Sequence, residues 1–246
     1  MMLETIRQGV VDVEVVHNIR SMGHCRTAGG GAFCDDLYRS ATLAGLTEAG
    51  VQQLGSLGIR TIVDLRSSNE LEIRPTRDVS SAGIRILHAP VVEYDSSPLA
   101  PADFKGYAVR YRELLSLGQG AYRMLFETIA ENEGGLLFHC SAGKDRTGLA
   151  AALLLSLAGV DDDEIIEDYA ASAGLLEPLF EVWRPRFEEE GISPELARRL
   201  MGSDPADMAA TLLHIRETWG DAEGYMSSTG MASSSIGVLK ARLSPG

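Results

Sequence analysis

The sequence predicts a single α/β domain over residues 1–246, with a mostly parallel central sheet flanked by helices. Two observations carry that reading. Apolar, β-branched runs of strand length recur at IRTIVDLRS (59–67), GIRILHAPVV (83–92) and GGLLFHC (134–140). Longer stretches with helical spacing lie between and after them, and strands alternating with helices build a parallel sheet. No internal repeat is visible. At 246 residues with 45% apolar composition, the chain can bury one large core.

In chain order, DVEVVHNI alternates well enough for a strand near residues 11–16. RTAGGGAFC is glycine-rich and reads as a turn between short strands. LTEAGVQQLGSLG (46–58) is a helix, with Thr47 as its N-cap and Leu54 and Leu57 sharing a face. Two buried strands follow at 59–67 and 83–92, and then residues 95–101, a loop with two prolines, Pro98 and Pro101. Residues 102–117 and 120–132 read as helices, and GGLLFHC as the strand that enters the loop 139–148, with a helix over 146–158 behind it. DDDEIIEDYAASAGLL opens with acids, which suit a helix N-terminus. Two more helices fit 175–190 and 193–202. SSTGMASSS has the composition of a linker, yet IGVLKARL beyond it has helical spacing, so an ordered last helix capped by Ser233 or Ser234 is expected.

Composition narrows the partners. A net charge of −13 argues against nucleic acid, which demands a basic face, although a locally positive pocket can still attract a small anion. MMLETIRQGVVDVEVVHNIR shows neither a signal peptide nor a membrane span. The three cysteines, Cys25, Cys34 and Cys140, form no disulfide framework, so a reducing cytoplasm is the default compartment, with export by a non-classical route left open. His24, Cys25 and Cys34 lack zinc-ligand spacing, and no metal or other cofactor is expected.

The chemistry concentrates in HCSAGKDRTG (139–148). A helix N-terminus carries unpaired N–H groups and a partial positive charge, so a strand–loop–helix is an anion cradle. The segment from Ser141 and Ala142 through Gly143, Lys144, Asp145 and Arg146 would bind phosphate. Gly143 allows close backbone approach, and Arg146 can hold two phosphate oxygens with its planar fork. Such a setting lowers a cysteine's pKa, so Cys140 is expected as a thiolate aimed at a bound phosphorus. Thr147 can donate a hydrogen bond to that thiolate, and His139 can order the loop around it. In-line attack by Cys140 would form a phosphocysteine that water then hydrolyses, with no metal required.

HCSAGKDRTG resembles the signature of cysteine-based protein tyrosine phosphatases. More narrowly it resembles the bacterial and fungal HC-x-x-GKDRTG subgroup, to which the mycobacterial secreted tyrosine phosphatase B belongs. HNIRSMG, LYRSATL, IRTIVDLRSSNE and IIEDYAASAG extend the likeness over most of the chain. The first of these departs from the subgroup's pattern at Ile19 and Ser21. The resemblance implies a tyrosine-phosphatase-like fold and hydrolysis of phosphotyrosine, with dual-specificity or phosphoinositide activity, on a phosphorylated protein or a phosphoinositide. Lys144 matches a loop lysine of phosphoinositide phosphatases, whereas Ser141 stands where those enzymes carry a second lysine. The subgroup covers its site with helices, which implies a lid role for residues 102–132.

For the general acid, Asp145 inside the loop competes with Asp95, which follows the strand at 83–92, where many tyrosine phosphatases keep a mobile acid loop; the intact GKDR favours Asp145. Arg66 and Glu70, just past a strand end, support the loop by an ion pair or form a surface pair, and Arg39 is equally open. Cys25 or Cys34 could pair with Cys140 under oxidation. A sulfurtransferase or arsenate reductase is the rival enzyme, opposed by Arg146 and Thr147. A phospho-binding pseudophosphatase is the non-enzymatic rival, opposed by the presence of both nucleophile and arginine.

Overall fold

Five strands form one sheet in the computed structural model, which describes residues 9–27, 29–93 and 106–244. They are β1 (Arg20–Ser21), β2 (Leu37–Ser40), β3 (Ile59–Asp64), β4 (Arg85–His88) and β5 (Gly135–His139), in the order β1-β2-β5-β3-β4. β1 runs antiparallel to β2, and every other pairing is parallel. Parallel strands sit between two covered faces and so are apolar along their length. β5 shows this directly: Leu136 and Phe138 enter the main core, whereas Leu137 enters a second core on the other face. Val63 and Ile62 of β3 divide the same way.

The helices are α1 (Glu48–Ser56), α2 (Ser68–Ile73), α3 (Tyr107–Leu117), α4 (Gln119–Glu131), α5 (Asp145–Leu157), α6 (Asp162–Leu175), α7 (Glu177–Glu189), α8 (Pro194–Met201), α9 (Pro205–Trp219), α10 (Ala222–Ser228) and α11 (Ser233–Leu243). α5 is the central one. Ten of its thirteen residues are buried, which its run of Leu and Ala foreshadows. α7 and α8 form a third apolar cluster that reaches Ala41 and Ala142 at the end of the sheet. Thr47 caps α1 by accepting from the Gly50 N–H at 3.0 Å, as its sequence suggests.

Several expectations need correction. Residues 11–16 form no strand. Val16 donates to the Val13 carbonyl at 3.0 Å and Val15 takes φ +66°, so the inward residues Val13 and Val16 sit one turn apart instead of alternating. α11 is ordered, but Ala232 is its N-cap and no side chain caps it, so neither Ser233 nor Ser234 plays that part. The supposed linker SSTGMASSS begins inside α10. The span 102–132 is described from residue 106 onward. Both of its helices bury one side in the main core: Tyr111, Leu114 and Leu115 from α3, and five residues from α4. Tyr107 and Tyr111 of α3 and Tyr122 of α4 reach the loop residues Lys144, Asp145 and Arg146. Among the described residues no helix is long and apolar enough to cross a membrane, and no group of His, Cys, Asp and Glu could hold a metal ion.

Candidate active site

The parallel register brings Arg39 level with Phe138, and Ser40 and Asp64 level with His139, at the carboxyl ends of β2, β5 and β3. That is where ligand crevices open in parallel sheets. Cys140 follows β5 directly, and residues 141–144 turn the chain into α5, whose first residue is Asp145. Cys140 is almost fully buried.

The loop's shape follows from its carbonyls. Asn18 Nδ2 donates to the Ala142 carbonyl at 3.0 Å and to that of Gly143 at 3.1 Å, and Arg39 Nη2 donates to the Gly143 carbonyl at 2.8 Å. In a trans peptide the N–H points opposite to the C=O. Pulling these two carbonyls toward Asn18 and Arg39 therefore turns the Gly143 and Lys144 N–H groups to the other side. Among the described residues no amide from Ser141 to Lys144 donates a hydrogen bond. Four successive N–H groups left without a protein acceptor at a helix N-terminus are a place for an anion. Gly143 has φ +67°, and a Cβ there would stand 2.2 Å from the Ser40 carbonyl oxygen. Glycine is thus required twice over, by conformation and by space.

Arg146 is fixed by Glu70. Nη1 donates to Oε2 at 2.5 Å and Nη2 to Oε1 at 2.8 Å, a bidentate pair. A guanidinium has five N–H bonds, so three remain for other acceptors. Ser141 Oγ donates to Glu70 Oε1 at 2.5 Å. Glu70 is held in turn by a capping box at the start of α2, where Ser67 N–H donates to Oε2 at 2.9 Å and Ser67 Oγ accepts from Glu70 N–H. Burial alone would raise the Glu70 carboxyl, but the Arg146 hydrogen bonds and charge hold it down at about 2. The pair left open by sequence is resolved with new partners: Arg66 binds Asp64 in a buried ion pair, and Glu70 binds Arg146.

His139 is buried, with Nδ1 3.2 Å from the Cys140 carbonyl, which must be the acceptor. Burial is the main force lowering its pKa, with Asp64 opposing, so the ring is neutral. Thr147 is fully buried, and its hydroxyl has no partner among the described residues. Lys144 turns its ammonium away from the loop. Nζ donates to the carbonyls of Leu200 at 2.8 Å and Gly202 at 2.7 Å and sits 3.8 Å from the Tyr107 ring centroid. Asp145 stands at the first position of α5, with its side chain 27% exposed. Its Oδ1 accepts from Tyr111 Oη at 2.7 Å and lies 3.4 Å from Lys144 Nζ. Tyr111 has one proton, given to Asp145, so the 2.6 Å contact with Tyr169 runs from Tyr169 to Tyr111. Asp95 lies outside the described residues. Cys25 and Cys34 are free and buried, and burial pushes both thiols up, Cys34 to about 12.

The residues that chain position alone does not single out for this site are Asn18, Arg20 and Asp168. Their segments, HNIRSMG and IIEDYAASAG, signal their importance only through resemblance.

A buried cysteine, unpaired amides and a clamped arginine on one strand–loop–helix fit a cysteine-dependent phosphatase. Residues 11–244 match the tyrosine phosphatase family, and the chain belongs to it. A tyrosine-protein phosphatase of Nostoc commune is 33% identical over 85% of this chain and 74% of its own. The triple specificity protein phosphatase PtpB of Mycobacterium tuberculosis is 30% identical over 83% of this chain and 89% of its own. A crystal structure of TpbA from P. aeruginosa is similar over 79% of this chain and 86% of that one, at 20% identity and a TM-score of 0.37.

Proposed function

We propose that this phosphatase hydrolyses phosphotyrosine in proteins through a phosphocysteine on Cys140, with Asp145 as general acid. The four unpaired amides of residues 141–144, beside Cys140 and a clamped Arg146, carry this reading. The Cys140 thiolate attacks phosphorus, the P–O bond to tyrosine breaks, and Asp145 protonates the departing oxygen. The loop amides and the remaining Arg146 N–H bonds hold the three equatorial oxygens in the transition state. Water then attacks the phosphocysteine and gives its proton to Asp145, and the S–P bond breaks. Inorganic phosphate leaves, and the Thr147 hydroxyl is on hand to stabilise the returning thiolate.

Tyr111 and Lys144 both approach Oδ1 of Asp145, which leaves Oδ2 to carry the transferable proton. Asp95 remains the rival acid. Phosphoinositide hydrolysis is the secondary activity in this reading, because the Lys144 ammonium is occupied by two backbone carbonyls and an aromatic ring. The name of the mycobacterial relative, a triple specificity phosphatase, supports breadth beyond phosphotyrosine.

The test is a turnover panel of phosphotyrosine, phosphoserine and phosphothreonine peptides beside phosphoinositide vesicles. Phosphotyrosine peptides are expected to give the highest kcat/KM. A preference for phosphoinositide vesicles would overturn the assignment of protein phosphotyrosine as the main substrate.

A further inference from the structure

Beneath the loop lies a set of buried charges that the mechanism above does not use. Arg39 of β2 and Arg20 of β1 are both fully buried and share one carboxylate, that of Asp168 on α6. Arg39 Nη1 donates to Asp168 Oδ2 at 2.5 Å, and Arg20 Nε donates to Oδ1 at 2.8 Å. Arg20 also donates from Nη1 to Asn18 Oδ1 at 2.5 Å and from Nη2 to the Asp168 carbonyl at 2.8 Å and Ser172 Oγ at 3.2 Å. Asn18 and Arg39 then deliver three donors to the Ala142 and Gly143 carbonyls, as described above. From Asp168 to the loop there is thus an unbroken run of hydrogen bonds, with Arg39 as its direct link to Gly143.

The other cations around the loop are matched. Arg146 is paired with Glu70 and Arg66 with Asp64, while Lys144 has Asp145 at 3.4 Å and, further out, Asp207 of α9. His139 is neutral. The Arg20–Arg39 set, by contrast, holds two buried cations against the one Asp168 carboxylate. His24 Nε2 also lies 3.5 Å from Asp168 Oδ1.

We propose that Arg39 is a positioning residue of this phosphatase: through the Gly143 carbonyl it sets the orientation of the loop amides, and its unmatched buried charge favours the Cys140 thiolate. Burial and the neighbouring Arg20 pull the Arg39 pKa down to about 10, and Asp168 and Cys140 oppose that shift. Arg39 therefore keeps its charge at neutral pH. The two tasks are separable by substitution. Charge acts at a distance, whereas the grip on Gly143 needs the planar fork to reach Asp168 and the carbonyl together.

The experiment measures the rate of Cys140 alkylation by iodoacetamide against pH, read at Cys140 by mass spectrometry. It is paired with kcat and KM on a phosphotyrosine peptide and a thermal melt for each variant. Reading at Cys140 by mass spectrometry keeps it apart from Cys25 and Cys34, whose thiols are pushed up by desolvation. Arg39→Met is expected to raise the Cys140 pKa, so alkylation at pH 6 slows by about tenfold. Arg39→Lys is expected to leave the alkylation profile close to wild type while kcat falls by about tenfold or more. Asp168→Asn removes a negative charge and is expected to lower the Cys140 pKa, the opposite direction to Arg39→Met. A merely structural role would move all three profiles the same way. If Arg39→Met does not fold, the other two variants decide the matter: a raised Cys140 pKa in Asp168→Asn, or an unchanged kcat in Arg39→Lys, overturns the proposal. The inference rests on Cys140 as the nucleophile, but alkylation reads the thiol without turnover. Failure of the proposed chemistry and failure of the Arg39 role are therefore distinguishable.

Discussion

Replacing Glu70 by Gln tests the clamp on Arg146 with almost no change of shape. Each carboxylate oxygen accepts two bonds. Oε1 takes Arg146 Nη2 and Ser141 Oγ, and Oε2 takes Arg146 Nη1 and the Ser67 N–H. A glutamine must place its NH2 group against one of these two sets, so one Arg146 bond is lost whichever way the amide turns, and the Ser67 bond goes with it if the NH2 takes the Oε2 place, whereas the Ser141 hydroxyl can turn to accept. Hydrogen bonds to charged groups contribute about 1.5–3 kcal/mol each. The Glu70 side chain is 29% exposed, which weakens them by solvent screening, so a total of about 2–3 kcal/mol is expected. If most of that loss falls on the positioning of Arg146, kcat/KM drops by roughly 10- to 100-fold. The stability part has a pH signature. The Glu70 carboxyl is held at about 2 in the folded chain, against an ordinary value of 4.5. A depressed carboxyl stabilises the fold fully above its unfolded pKa, and the benefit disappears as pH falls through the folded value. Urea titrations at pH 7, 4 and 3 should show the wild-type advantage over Glu70→Gln intact at pH 7, beginning to shrink just below 4.5 and gone near 2. A stability gap of equal size at all three pH values would refute an ionised, Arg146-paired Glu70. So would a kcat/KM within twofold of wild type.

Cys140→Ser should abolish turnover yet still bind phosphate esters, by calorimetry with a phosphotyrosine peptide; activity above a few per cent of wild type contradicts a covalent mechanism. Arg146→Lys keeps the charge but not the fork, so kcat should fall by about 10²-fold or more, and a change under threefold would remove the arginine from the transferred group. Gly143→Ala drives a Cβ into the Ser40 carbonyl at a positive φ, and steady-state assays and melting should show lost activity with a lower Tm, whereas wild-type values would mean the turn is not needed. Asp145→Asn should cripple phenyl phosphate hydrolysis while sparing esters with a good leaving group; if only Asp95→Asn shows that dependence, the acid is Asp95.

The reactive loop is legible because its parts are contiguous. A strand, a cysteine, a glycine, an arginine and a helix lie within HCSAGKDRTG and the runs on either side of it, where local rules suffice. The rest of the site is not, for reasons visible in particular residues. β2 carries Arg39 and Ser40 inside a buried strand, so it shows no apolar alternation, and nothing in its pattern announces a strand. Glu70 sits on a six-residue helix with no buried residue, whose periodicity is too short to register. Its capping box, Ser67 with Glu70, is the available signal. Asn18 meets the loop, and Arg20 meets Asp168, only through the fold, across 124 residues from Asn18 to Ala142 and 148 from Arg20 to Asp168. The apolar alternation at 11–16 misleads because Val13 and Val16 are buried across a turn, where a spacing of three does the work of a strand's spacing of two.

The ionic underside of the loop is better explained by shape than by stability. Arg20, Arg39, Asp168, Asp64, Arg66 and Lys144 are all buried, and desolvating charges costs enough that apolar replacements of such groups are often neutral or stabilising. A core built only for stability would hold leucines here. The loop explains why it does not. To present its amides to an anion, the chain must turn the carbonyls of Ala142 and Gly143 into the protein, where an unpaired acceptor is costly. Those carbonyls need donors that cannot swing away, which Asn18 and Arg39 supply, and a buried arginine needs a carboxylate, which Asp168 supplies. Arg146 repeats the pattern on the exposed side, where Glu70 holds it and the Ser67 cap holds Glu70. Asn18, Arg39 and Asp168 on one side, and Glu70 and Ser67 on the other, are each accounted for by the group before them, and the sequence of requirements begins with the direction of two peptide planes beside Cys140.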